Sequence, residues 1–399
     1  MKSEAGLSLP TSSKPSGAAV NDREACIILN MVSGIGSARM QALLNRFETP
    51  ANIFEQSSSG IAGVRGIGQE LAEKIANWRN EIDLHGELEM AEKGGAKIIT
   101  VVDREYPAIL KEIYDPPICL YVRGTLPDFS ANTLAVVGSR RMTAYGRKMA
   151  AHLTGAAVYA GWKIISGLAY GVDAVAHQVA VDLKGVTVAV LGGGLARVHP
   201  QDHVPLARSI VEHNGALISE YPMRFPVSRQ SFPRRNRIVS GLSRAVLVVE
   251  AGVDSGALIT AATALEQGRS VFAVPGMVDN PQARGCHKLI KEGAKLTEDF
   301  EDILQDFEFL PGFGAVKEQP HEYMDKSGED DATLPMPDTS GMSEEEQKII
   351  RALALENKSF DALSSETGIA AGLLLGTLMK MEIKKQVSQS PGKIYSLRR

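Results

Sequence analysis

An α/β core built on a doubly wound parallel sheet, with a helical module before it and a winged helix after it, is the fold class this sequence predicts. Three observations carry that expectation. Between about residues 131 and 308, short runs rich in Val and Ile alternate with stretches at helical spacing, the pattern of buried parallel strands joined by helices. Nearly every one of those runs ends in Gly or Ser, at the edge where ligands approach such a sheet. Segments on either side are helical in pattern and are set off by tracts rich in Ser, Gly, Pro and acidic residues.

In chain order, residues 1–22 are rich in Ser, Gly, Ala and Pro and read as a disordered tail. The helical module is expected over 23–82. Two similar pieces occur in it: Val32-Ser33-Gly34-Ile35-Gly36 with a helix to Phe47, and Val64-Arg65-Gly66-Ile67-Gly68 with a helix to Trp78. This resembles the helix-hairpin-helix, or SAM-like, pattern. Its glycines allow a sharp turn and leave N–H groups free at a helix N-terminus. Few basic residues flank the turns, so DNA contact and a plain helical bundle both stay open.

The core is expected over 83–308. Strands are predicted at Lys97–Val102 and, after Asp115-Pro116-Pro117, at Ile118–Val122. Six more follow at Thr133–Val137, Lys163–Ser166, Thr187–Leu191, Ala216–Ser219, Ala245–Glu250 and Ser270–Val274. Helices are predicted between them at Tyr145–Ala160, Val172–Leu183, Val204–His213, Gly256–Gln267 and Cys286–Glu292. Residues 309–341 lack hydrophobic periodicity and read as a linker. Over 342–399, Ser343 before three glutamates starts a helix. Helices at 344–355, 359–365 and 370–381, then a hairpin of Val387-Ser388 and Ile394–Leu397 around a turn at 390–392, make the winged helix.

The bulk numbers bound the function. A chain of 399 residues exceeds one ordinary core, and 44% hydrophobic with 23% charged residues is the balance of a soluble globular protein. Net charge is −4, so any contact with nucleic acid comes from a local patch. Cys26, Cys119 and Cys286 have no CxxC spacing, which argues against zinc and against a disulfide framework and suits a reducing cytoplasm. No apolar run follows a basic start, and none approaches the ~18 residues of a membrane span.

The local patch is the stretch between Glu220 and Glu250. It holds Arg224, Arg229, Arg234, Arg235, Arg237 and Arg244, with no lysine and no acidic residue, and Phe225 and Phe232 are interleaved. A guanidinium fork suits phosphate and an aromatic face suits a base, so single-stranded nucleic acid is the expected ligand. The alternative is a loop whose arginines pair with the chain's own carboxylates. The strand ends add a phosphate-suited face of glycines and helix N-termini. Gly138-Ser139-Arg140 follows the first strand, in place of a dinucleotide fingerprint. Arg140 there is placed to pair with phosphate, or with Glu220 or Glu250. Asp173 and His177 share a helix face at i and i+4. No serine sits in a Gly-x-Ser-x-Gly elbow, so a hydrolase reading lacks its nucleophile.

Several segments together resemble the DNA processing protein A family, also called DprA or Smf, over about residues 85–300. They are Gly138-Ser139-Arg140, Ser166-Gly167-Leu168-Ala169 with Gly171, Asp173 and His177, Gly192-Gly193-Gly194, Ser219-Glu220, Phe232-Pro233-Arg234-Arg235-Asn236-Arg237-Ile238, Glu250-Ala251, Ser255–Thr260 and Pro275-Gly276. The resemblance implies a Rossmann-like core that binds single-stranded DNA without sequence preference. It implies a homodimer that protects incoming DNA and loads the recombinase RecA in natural transformation. It implies no catalysis, no cofactor and no metal. Carried over by position, Arg140 would hold phosphate and Phe232 would stack on a base. Arg229 stands where a basic residue precedes that aromatic, and Ser166, Gly167, Ser255 and Gly256 would line the pocket. Gly138, Ser139, Gly192, Gly193, Arg234 and Arg237 complete the expected DNA-binding set. Arginine fills the basic role throughout, where relatives often use lysine.

A competing expectation is an enzyme acting on a nucleotide or phosphoribosyl substrate, since the phosphoribohydrolase group resembles this fold and places a glutamate near its substrate. Glu250 would be that glutamate. The third helix of the winged helix, Ala370–Met381, has no basic surplus, which favours contact with protein over DNA.

Overall fold

A computed structural model describes residues 19–130, 132–307, 343–355, 358–384, 386–390 and 394–397. Most of the expected tail, all of the expected linker and positions 391 and 392 of the expected turn lie outside them. The chain forms two compact units, residues 1–317 and 318–399.

The first unit opens with seven helices: α1 Asp22–Met31, α2 Ser37–Phe47, α3 Pro50–Ile53, α4 Ser58–Ala62, α5 Gln69–Ala76, α6 Trp78–Glu81 and α7 Leu84–Lys93. Asn21 and Glu24 form a reciprocal capping box that starts α1. Arg39 of α2 donates to the carbonyls of Gly34 and Gly66, tying the two repeated turns together. These helices do not keep a core of their own. Cys26, Ile27 and Leu29 of α1 share one buried cluster with Ile98, Cys119, Tyr121 and Leu217 of the sheet.

That sheet has nine strands: β1 Ala96–Thr100, β2 Cys119–Gly124, β3 Thr133–Val137, β4 Lys163–Ser166, β5 Thr187–Val190, β6 Ala216–Ser219, β7 Ala245–Val248, β8 Ser270–Ala273 and β9 Lys295–Leu296. Their order is β1-β2-β6-β5-β4-β3-β7-β8-β9. The run from β6 to β9 is parallel. β2 joins β6 antiparallel and β1 joins β2 antiparallel. The two strands expected at Lys97–Val102 and Ile118–Val122 therefore extend the sheet, and the two-residue β9 adds a strand with no apolar run to announce it. β1 is an edge, and Arg23 of α1 reaches over it to donate to the Ile98 carbonyl at 2.7 Å.

Side chains of β3 alternate as a pleated strand requires. Leu134 and Val136 pack with α9 Ala144–Tyr159 and α10 Val172–Asp182, while Ala135 and Val137 pack on the other face. That second face is covered by α8 Ala108–Lys111, α12 Ser231–Gly241, α13 Gly256–Glu266 and α14 Arg284–Lys291. α11 Val204–Glu212 packs beside β5 and β6, and α15 Glu301–Leu304 closes the unit under Trp162. The sheet is doubly wound, as expected.

One element departs from expectation. The arginine stretch is not a loop throughout, because Ser231–Gly241 is helix α12. Pro233 lies in its first turn, where no intrahelical N–H is needed. Its buried positions are Ser231, Arg235, Ile238, Val239, Ser240 and Gly241. An arginine occupies a position that the helical period reserves for an apolar residue, so the hydrophobic pattern conceals the helix.

The second unit holds β10 Lys358–Ser359, β11 Val387–Ser390 and β12 Ile394–Leu397 in the order β10-β12-β11, with α16 Glu344–Leu355, α17 Phe360–Thr367 and α18 Ala371–Ile383. Three helices and a hairpin are the expected winged helix. Glu346 accepts from the Ser343 N–H at 3.0 Å and from Lys384 Nζ at 3.0 Å, with Lys380 Nζ at 3.4 Å. These partners, the Ser343 N–H foremost, hold its carboxyl down at about 2, below the ordinary 4.5. A carboxyl depressed on folding stabilises above its unfolded pKa and loses that contribution as pH falls through the folded value. Thermal unfolding followed from pH 6 downward is thus expected to show this unit weakening between about 4.5 and about 2. Glu346→Gln should remove that part of the dependence; an unchanged profile would refute the linkage.

Candidate nucleic-acid interface

Chain order reverses between β3 and β7, since β4, β5 and β6 lead away on one side and β8 and β9 on the other. At such a switch point the loops after the two strands part and leave a crevice. Here the crevice is a cleft of about 730 Å³. Gly138 to Arg141 line it from the end of β3, Gly167, Ala169 and Asp173 from the end of β4, and Gly252 to Ala257 from the end of β7. Arg229, Phe232, Arg235 and Asn236 close it from the segment that enters α12.

The floor is set by Arg235, which is 4% exposed. Its guanidinium donates to the carbonyls of Gly167, at 2.6 Å, and Val190. It lies so close over Gly167 that a Cβ there would fall 2.5 Å from it. Burial lowers its pKa to about 10, with Asp173 opposing the shift, so it keeps its charge at neutral pH. Asp173 accepts from the N–H groups of Gly167 and Ala169 at 3.1 and 3.3 Å. Burial raises its pKa, and Arg235 and these donors work against that rise. Between them Leu168 takes φ +56°, a conformation that costs energy outside glycine and persists only where neighbours impose it. Gly171 follows at φ +81°, where a Cβ would strike the Ser139 carbonyl at 2.1 Å; only glycine closes this turn.

The rim carries the free cations. Arg140, Arg141 and Arg229 are exposed and form no ion pair among the described residues. The Arg140 guanidinium carbon sits 5.2 Å from the centre of the Phe232 ring, within cation–π range. The carboxylates that Arg140 was placed to meet are engaged elsewhere. Glu250, 2% exposed, accepts from Thr143 N at 2.8 Å and Thr143 Oγ1 at 2.6 Å at the start of α9. Glu220 accepts from Arg237 at 2.6 Å.

The cleft gathers Gly138, Ser139, Arg140, Gly167, Arg229, Phe232, Ser255 and Gly256 from the expected set. Five others stand apart from it. Ser166 is fully buried and donates to the Val136 carbonyl at 2.7 Å, fastening β4 to β3. Gly192 lies beneath Phe232, where a Cβ would sit 3.0 Å from the ring, and Gly193 lies beneath Val227. These two glycines admit the arginine segment to the strand end and offer no surface to a ligand. Arg237 is held between Asp115 at 2.7 Å and Glu220. Arg234 is exposed but off the cleft lining. The pairing alternative thus describes Arg237, while Arg244 caps the opposite end of the sheet with a bond to the Ser130 carbonyl.

Asp173 and His177 do not form a working pair. His177 is fully buried, with Nδ1 2.7 Å from Thr187 Oγ1, whose proton goes to the Ile164 carbonyl. Nδ1 is therefore the donor, and burial lowers the pKa to about 3 and keeps the ring neutral. Sequence reasoning passed over Arg141 and Gln282. Arg141 directly follows Arg140 and was open to the same argument. Gln282, which accepts from Ser139 Oγ at 2.9 Å, comes from a loop with no pattern of its own.

Fold and site together define a Rossmann-like α/β protein with a basic, glycine-walled cleft at its switch point. Comparison with known proteins narrows this. Residues 97–308 match the DNA recombination-mediator protein A family, residues 27–77 match a SAM-like helix-hairpin-helix tandem, and residues 332–393 match the DprA winged helix domain. Protein Smf of Synechocystis is 33% identical over 393 residues, 92% of this chain and 97% of that protein. Protein Smf of Escherichia coli is 39% identical over 294 residues, 74% of this chain and 75% of that protein. The X-ray structure of DNA processing protein A (DprA) from Streptococcus pneumoniae superposes with a TM-score of 0.62 at 32% identity, covering 73% of this chain and all of that one. The chain belongs to the DNA recombination-mediator protein A family, whose curated members carry the names DprA and Smf.

Proposed function

We propose that the switch-point cleft binds single-stranded DNA without sequence preference. We further propose that the chain, as a homodimer in the cytoplasm, protects incoming strands and loads RecA onto them during natural transformation, without chemistry of its own. The observation that carries the DNA reading is the pairing of Arg140 with Phe232 at 5.2 Å. It sets a phosphate ligand and a base platform side by side, and Arg140 is in no ion pair among the described residues. Every base has a π-face, so recognition of this kind tolerates any sequence. The enzyme reading needs Glu250 at a substrate, and both its oxygens are engaged by Thr143. RecA loading and dimer formation rest on family membership.

Fluorescence anisotropy with oligo-dT tests the binding. Affinity should fall with salt at a log–log slope of roughly 0.7 per phosphate neutralised. Arg140→Ala should weaken binding and reduce that slope by about one such step. Undetectable or salt-independent binding would sink the proposal. RecA filament assembly on DNA coated with single-strand binding protein, with and without this chain, tests the loading.

A further inference from the structure

Phe232 is not the last ring on this edge of the sheet. His199 lies beside it, ring centres 6.2 Å apart. The same loop runs on through Gln201–His203, where His203 meets Tyr170 edge-on at 4.9 Å. His203 Nδ1 donates to the Leu168 carbonyl at 2.9 Å, pinning the loop to the strained turn after β4. Tyr170 directly follows Ala169, a lining residue of the cleft. Phe232 with His199 thus forms one ring pair beside the cleft and His203 with Tyr170 a second, joined by the loop from His199 to His203.

Tyr170 is the unusual member. It is 45% exposed, yet its ring is fixed at both ends, by His203 and by a hydroxyl that donates to Asp202 at 2.7 Å. A ring held in one orientation at the surface loses rotamer freedom and buries little apolar area. Its folding value is low and its value as a ready-made platform is high, because the ordering cost of binding has already been met. Arg197, on the loop between the end of β5 and His199, is exposed and forms no ion pair among the described residues, which supplies a cation for the connecting phosphate.

We propose that Tyr170, with His199 and Arg197, forms a second base-stacking subsite that takes nucleotides leaving the cleft on the β5 side. The proposal rests on the reading of the cleft as a single-strand site. It assigns the cleft a direction of exit and gives the full chain a longer footprint than the cleft alone.

The test compares a short oligo-dT that fills only the cleft with a long one, on the full chain, for Tyr170→Ala, Tyr170→Phe and Phe232→Ala. Tyr170→Ala should leave the short oligonucleotide unchanged and weaken the long one on the order of ten-fold. Tyr170→Phe, which keeps the ring and loses only the bond to Asp202, should stay close to wild type. Phe232→Ala should weaken both. If Phe232→Ala weakens both and Tyr170→Ala weakens neither, or both equally, the second subsite is overturned and the cleft reading stands. If Phe232→Ala weakens neither, the cleft reading itself fails. A long oligonucleotide carrying 5-iododeoxyuridine should also photo-crosslink to Tyr170 or His199 in the wild type, and crosslinks confined to the cleft would overturn the subsite.

Discussion

Replacing Arg235 by methionine is expected to cost the folded state about 2–5 kcal/mol, read as a lower urea midpoint at unchanged slope. The expectation follows from what the guanidinium leaves behind. The carbonyls of Gly167 and Val190 lose a buried donor. Asp173, also buried, loses the nearby positive charge that favours its ionised form. Methionine fills much of the volume, so a large loss would come from the stranded polar groups and not from a cavity. Arg235→Lys should recover only part of it, because an ammonium does not reproduce a planar fork. A midpoint within experimental error of wild type for the methionine variant would show that the floor tolerates unpaired carbonyls. DNA affinity, compared at equal folded fraction, should fall as well, since the turn that carries Gly167 and Ala169 would lose its anchor.

Phe232→Ala is the binding counterpart. Loss of a base platform typically costs ~1–3 kcal/mol, a roughly 5- to 150-fold rise in Kd. Phe232 is only partly buried, so its removal should lower stability far less than it lowers affinity. Phe232→Trp keeps a platform and should hold affinity near wild type. If alanine leaves affinity within experimental error of wild type, Phe232 is packing for Gly192 and nothing further.

The sheet was legible because buried parallel strands need continuous apolar runs, and residues 134–137 or Ala245–Val248 supply nothing else. β9 was not, because a two-residue edge strand carries no periodicity. The turn residues were legible as a group but not one by one. Glycine permits close approach without saying what approaches. All four glycines make room for the chain's own atoms, Val172 at Gly138, Arg235 at Gly167, Phe232 at Gly192 and Val227 at Gly193, yet only Gly138 and Gly167 also line the cleft. The arginines divide in the same manner. Arg229 reaches the rim, Arg235 the floor and Arg237 an internal ion pair, and only tertiary contact separates these fates. Neither the helix beneath them nor its buried arginine has an apolar signature.

The placement of α1 over β1 has a consequence for how the sheet meets other molecules. A nine-stranded sheet ending in a bare strand would offer its unpaired backbone groups to any extended peptide or misfolded copy nearby. Here Arg23 occupies the Ile98 carbonyl, and the helix that carries it is glued down by Cys26, Ile27 and Leu29. The helices α1 to α7 therefore act as a sealed hem. A shortened protein beginning at the sheet would expose both a sticky border and the apolar underside of β2, and should be prone to clump before its DNA-binding properties are ever measured.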